Sequence, residues 1–144
     1  ELHEGIARVV ALERFKQFDW VTVVERIKAR QHQYPGKLII DATGLGDVIA
    51  GQLAEYKPQS VIFTPAVKSE LLTNVELRHA RGEISYDRWE LPDGPGRIWS
   101  LEDELRAARW DDNNECDALM ALALALWPLY RKARPTIAPR VGKA

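Results

Sequence analysis

Apolar residues in this chain come in short bursts, split by breaks rich in polar residues, glycine and proline. Leu38, Ile39 and Ile40 form a β-branched run closed by Asp41, the pattern of a buried strand, and Ser60–Phe63 predicts a second one. Helical spacing appears between and around them. Trp20, Val23, Val24 and Ile27 share one face of a helix from Trp20 to about Gln33, with Asp19 as its cap and Tyr34-Pro35-Gly36 as its stop. Val48–Tyr56 is a short helix with Ile49 and Leu53 on one face, ended by Lys57-Pro58. Thr64 caps the next helix, with Pro65 at its first position. It runs to about Arg81, and Gly82 is a natural end.

The remaining segments follow the same logic. Ile6–Phe15 favours a strand through its valine pair, and Glu83–Tyr86 is a short strand. Pro92, Gly94, Pro95 and Gly96 make 87–100 a loop or a twisted hairpin. Ser100 and Asp103 open a capped helix ending near Trp110. Asn113 or Asn114 can cap the last helix, whose run from Ala118 to Leu126 has no polar face. That helix is expected to be buried all round, with Pro128 kinking or ending it. Strands alternating with helices predict an α/β fold.

Composition narrows this little. The chain has 144 residues, enough for one domain with a real core, and 46% are hydrophobic. A net charge of −1 favours no class of partner, and a single cysteine, Cys116, forms no internal disulfide and suits a reducing compartment. The N-terminus is polar, so no signal peptide is expected. The longest apolar run, Ala118–Tyr130, has 13 residues, too few to span a bilayer. There is no Walker A motif, and His3, His32 and His79 have no zinc spacing. The tail from Arg131 carries five basic residues and no acid, fit for solubility or for loose phosphate contact.

The chemistry gathers at Asp41 and Asp117. Asp41 stands at the carboxyl end of a strand, where open α/β sheets bind ligands, yet a turn residue accepting local backbone N–H groups fits it equally well. Gly44-x-Gly46 follows that strand, but position 49 is Ile, so the dinucleotide fingerprint fails and nucleotide binding is a distant third reading. Asp117 opens the apolar helix, which crosses the sheet and can bring this acid to the strand end. Carboxylates converging there would repel one another unless a divalent cation lay between them, and oxygen ligands favour Mg²⁺ or Mn²⁺. Such a site suits phosphodiester hydrolysis. Lys68, in the first turn of its helix, opposes the helix dipole, which a phosphate partner would explain; a solvated lysine is the plainer account.

In their order and spacing, the pieces RVVALERF, VERIKA, LIIDATGLGDVIAGQL, VIFTPAVKSELL, RGEISY and CDALMALALAL resemble the C-terminal nuclease domain of the terminase large subunit of tailed bacteriophages. The resemblance runs from about Ile6 to Leu129. It implies an RNase H-like domain over 1–132, a central mixed sheet flanked by helices and N-terminally truncated, followed by a basic flexible tail at 133–144. The implied activity is a metal-dependent endonuclease that cuts concatemeric viral DNA during packaging, with Mg²⁺ or Mn²⁺ as cofactor. The implied partners are double-stranded DNA, the terminase ATPase domain, the small subunit and the portal, in the cytoplasm of a bacterial host and away from membranes. By position, Asp41 and Asp117 match catalytic, metal-binding acids, and Lys68 matches a lysine near DNA. Arg78 and Arg81 extend that basic face, and Asp47 and Asp112 are further metal candidates.

The sequence also departs from the family. Cys116 stands where the family has a further acid, and the opening strand with the first catalytic Asp, together with the strand after it, is missing. Three arrangements would answer that loss. Ile6–Phe15 pairs directly with Leu38–Asp41; or strands are exchanged in a homodimer; or Glu4, Asp112 or Glu115 replaces the lost acid. The missing acid argues against cleavage by this chain alone. The alternative function is therefore a non-catalytic prophage remnant that binds DNA or a packaging partner through Lys68, Arg78, Arg81 and the tail.

Overall fold

The computed structural model describes residues 1–14, 19–44, 46–108 and 116–132, with only the backbone at 46, 47 and 130–132. The chain opens with a hairpin that its sequence pattern did not predict. β1 (Leu2–His3) and β2 (Ile6–Val9) pair antiparallel across Glu4 and Gly5, at φ of 49° and 84°. Two successive positive φ values are the mark of the tight turn that matches strand twist. α1 (Trp20–Gln33) begins where Asp19 accepts hydrogen bonds from the Thr22 N–H and hydroxyl, at 2.9 and 2.8 Å. Val24 is buried, but Trp20 remains 51% exposed, so the inward face is narrower than its apolar spacing predicts.

β3 (Ile39–Asp41) and β4 (Gln59–Val61) pair in parallel, with Asp41 opposite Val61. Between them lie α2 (Gly46–Gln52) and a short 3₁₀ turn, Ala54–Tyr56, with Leu53 fully buried at the junction. β4 starts one residue earlier and ends two residues earlier than expected, and Ile62, beyond its end, is 64% exposed. α3 (Pro65–Ala80) starts as predicted, the Thr64 hydroxyl accepting from the Val67 N–H at 3.2 Å, and Gly82 takes a positive φ past its end. β5 (Ile84–Tyr86) returns to pair in parallel with β2, Ala7 opposite Ile84. β6 (Glu90–Pro92) and β7 (Ile98–Ser100) form the hairpin, and α4 (Leu101–Ala107) begins on a Ser100 cap.

α5 (Asp117–Lys132) passes through Pro128 without ending. It is not buried all round: Ala121 and Ala125, four residues apart, share an exposed face, where a methyl group loses little in water. Its other side forms the core. Leu119, Ala123, Leu124, Leu126 and Trp127 pack with Leu71 and Val75 of α3 and with strand residues Ala7 and Val61. Ile39 and Ile84 add to the same cluster, so strands from both parallel pairs rest on one helical layer.

The expected central sheet is thus divided, among the described residues, into β1-β2-β5, β3-β4 and β6-β7. β2 has both edges bonded, to β1 and β5, so Ile6–Val9 does not pair with β3; Phe15 lies outside the described residues. The architecture is α/β, with mixed parallel and antiparallel pairs flanked by helices.

Candidate functional site

The loops after β3 and β4 are tied together where the two strands end. The Ala42 N–H donates to the Val61 carbonyl at 2.9 Å, and the Phe63 N–H donates to the Thr43 hydroxyl at 3.0 Å. Asp41 is exposed there, and its Oδ1 accepts from the Thr43 N–H at 2.8 Å. The turn role foreseen for Asp41 is therefore real. It uses one acceptor position of a carboxylate that has about four.

Beside this strand end opens a cleft of about 1210 Å³. Asp41 and Thr43 stand at it from β3 and its loop, Lys68 from the first turn of α3, and Cys116 and Asp117 from the start of α5. Three predicted residues from three separate elements, Asp41, Lys68 and Asp117, share this one cleft. Its further wall runs down α3 through Leu72, Glu76 and His79, spaced three and four residues apart, and Glu102 and Arg106 face it from α4. Those last residues were not foreseen. The helical spacing on α3 was the available signal.

The charges lining the cleft are unequal. Asp41, Asp117, Glu76 and Glu102 oppose Lys68 and Arg106, and Arg106 is already paired with Glu102 at 2.6 Å. The cleft is net acidic, and a phosphate chain approaching it gains only where a cation offsets the carboxylates.

The other predicted residues fare differently. Arg78 lies inside the fold, its side chain 11% exposed. Its Nε donates to Asn74 Oδ1 at 3.2 Å and its NH1 to Glu83 Oε2 at 3.2 Å, while Asn74 reaches the Leu126 carbonyl at 3.4 Å. A guanidinium held this way braces α3 against α5 and the start of β5, and little of it faces solvent. Arg81 is 65% exposed at the end of α3, with one loose ion pair to Glu83 at 3.9 Å, and does not line the cleft. Asp47 lies in α2, with its side chain outside the description. Asp112 and Glu115 lie outside the described residues. Glu4 sits in the β1–β2 turn and does not line the cleft.

Among the described residues, no three His, Cys, Asp or Glu side chains gather closely enough to hold a metal. The donor type at the cleft nevertheless fits a hard divalent cation. Mg²⁺ keeps several waters and is commonly held by one or two carboxylates together with substrate phosphates.

No family model matches the chain, and no curated protein matches it. Among solved structures it is similar to the large terminase nuclease from thermophilic phage G20c, with a TM-score of 0.53 and 22% identity. The fold is that of a large-terminase nuclease. The similarity covers 80% of this chain and 65% of that one, so the chain spans about two thirds of the G20c nuclease structure. The expected RNase H-like α/β class is thereby borne out, and no helix among the described residues is long and apolar enough to cross a membrane.

Proposed function

We propose that this chain is a divalent-cation-dependent DNA endonuclease domain of terminase type, and that the cleft is its site. The observation carrying this reading is the convergence of Asp41, Lys68 and Asp117 on one net-acidic cleft at the carboxyl ends of β3 and β4. Asp41 and Asp117 would hold Mg²⁺ or Mn²⁺, which when bound supplies a nucleophile from water and offsets charge on the phosphodiester. Asp41 enters already oriented, because the Thr43 N–H fixes one carboxylate oxygen and leaves the other for the cleft. Lys68 offers its ammonium to a phosphate oxygen as a point charge on a flexible stem. Arg81 extends that contact. Thirteen residues of helix separate it from Lys68, about 20 Å, a span a duplex backbone readily covers. Double-stranded DNA is the substrate on this reading, and the terminase ATPase domain, small subunit and portal are the partners, in the host cytoplasm.

The test is Mn²⁺ titration calorimetry on the wild type, Asp41→Ala and Asp117→Asn, with plasmid cleavage run alongside, with and without a chelator. Each substitution is expected to weaken Mn²⁺ binding at least tenfold and to abolish cleavage. Unchanged affinity in both variants would overturn the reading.

A second reading is favoured by one observation, the lack of a third clustered acid among the described residues. It makes the chain a non-catalytic domain that binds DNA or a packaging partner, including a second copy exchanging strands. Salt-sensitive DNA binding with no cleavage in Mn²⁺ would select it.

A further inference from the structure

Glu104 lies on α4, outside the lining of the cleft, and it meets two donors from different elements. Its Oε1 accepts the Leu119 N–H at 2.9 Å, and its Oε2 accepts the Trp99 indole N–H at 2.8 Å. The Cys116 carbonyl takes the first helical bond of α5, from the Met120 N–H at 2.9 Å. Leu119 is therefore the third residue of the helix, and its N–H is one that a capping side chain ordinarily satisfies. Here the cap comes from another helix. The bond also places a carboxylate at the positive end of α5, where it is favoured.

We propose that Glu104 is a positioning residue that sets Asp117 in the cleft. One carboxylate joins three pieces: β7 through Trp99, α4 through its own backbone, and the first turn of α5 that carries Asp117. The link is short and directional. Leu119 is two residues from Asp117 in the same turn, so a displaced cap moves the acid. Both bonds are partly buried, and each oxygen has its own donor. This inference rests on the proposed role of Asp117, and the experiment separates the two.

Mn²⁺ affinity is measured by calorimetry for Glu104→Ala, Glu104→Gln, Glu104→Gln with Trp99→Phe, and Asp117→Asn, with a urea midpoint for each. Glu104→Ala is expected to weaken Mn²⁺ binding by about 10-fold or more, the scale of losing a group that orients a ligand. Glu104→Gln keeps one acceptor oxygen for two donors, so Trp99 then faces an amide NH₂. Adding Trp99→Phe removes that conflict and should bring affinity back to within about 3-fold of wild type, by the same scale. A purely structural role predicts instead that affinity stays at the wild-type value in every folded Glu104 variant, with only the urea midpoint moving, and that result would overturn the inference. If Glu104→Ala fails to fold, the isosteric Glu104→Gln pair carries the test alone. Loss of binding in Asp117→Asn with none in the Glu104 variants overturns the positioning role only. Unchanged binding in Asp117→Asn overturns the site reading and this inference with it.

Discussion

Lys68 and Arg78 sit on the same helix, ten residues apart, and equally invite a reading as DNA contacts. The fold treats them in opposite ways. Lys68 opens into the cleft from the first turn of α3. Arg78 is enclosed near its end and bridges Asn74 and Glu83. The charge is the same; what differs is the stripe each occupies. Leu71, Asn74, Val75 and Arg78 recur at three- and four-residue spacing and are the buried residues of α3. Lys68, Leu72, Glu76 and His79 follow the neighbouring stripe and face the cleft. A basic residue on an apolar stripe is a candidate brace, and one on a polar stripe is a candidate contact.

The sharpest way to break this comparison is Arg78→Ala. It leaves the Asn74 amide and the Glu83 carboxylate without their guanidinium, and hydrogen bonds to charged groups contribute about 1.5–3 kcal/mol each. With Glu83 partly open to water, we expect a loss of about 2–3 kcal/mol, read as a lower urea midpoint. The variant, where folded, should bind DNA with an unchanged salt dependence. A fall in DNA affinity with no loss of stability would return Arg78 to the surface role its charge suggested.

The stripe was present in the sequence, but a charged residue at the fourth position of an apolar pattern reads first as a boundary. Local signals did better, although the last helix, expected to be capped by Asn113 or Asn114, opens at Cys116 instead. Asp19, Thr64 and Ser100 cap their helices as their residue types predict, because a cap depends only on a few neighbouring backbone groups. The β1–β2 hairpin was missed because two-residue strands carry no alternation to detect, and Glu4-Gly5 is a less telling turn than Asn-Gly. The division of the sheet was also hidden. Strand pairing is a long-range choice, and nothing in the neighbourhood of Ile6–Val9 announces β5 as its partner. At the site, the positions of Asp41 and Asp117 followed from strand end and helix start. The acidic balance of the cleft did not, because Glu76 and Glu102 enter from helices far apart in the chain.

Glu13 stands between the two cases, since its ion pairs are neither enclosed nor open. It accepts from Arg26 at 3.0 Å and from Arg30, tying the segment before α1 onto that helix. Burial pushes its carboxyl up, but the hydrogen bonds and charges of Arg30 and Arg26 outweigh this and hold it below its ordinary value. A carboxyl depressed in the fold contributes stability that is fully present above its unfolded pKa, about 4.3, and is lost as pH falls through the folded value. Stability should therefore drop below about pH 4.3, and Glu13→Gln should flatten that part of the acid limb. At neutral pH the same substitution should cost about 1 kcal/mol, less than Arg78→Ala because water screens the pair. Urea midpoints across pH 3–7, an interval set about that carboxylate range, supply the check, and an unchanged acid limb in Glu13→Gln would remove Glu13 from the account.

Lys68→Ala should have the smallest effect on the fold and the clearest effect on DNA. An exposed side chain in a first helical turn, where a cation is unfavourable, should change stability by less than about 0.5 kcal/mol. In Mn²⁺, its loss should weaken DNA binding about equally across sequences and lower the slope of log affinity against log salt by about 1, the signature of one phosphate contact. With a chelator present, the wild type itself should bind weakly, because the uncompensated carboxylates of the cleft repel the backbone Lys68 would hold. Should Lys68→Ala leave the salt slope unchanged while Arg81→Ala lowers it, DNA would lie over the far end of α3, away from Asp41 and Asp117. The two ends of the helix would then exchange roles: the cleft would be a small-ligand or cation pocket, and the basic end would be the nucleic-acid face.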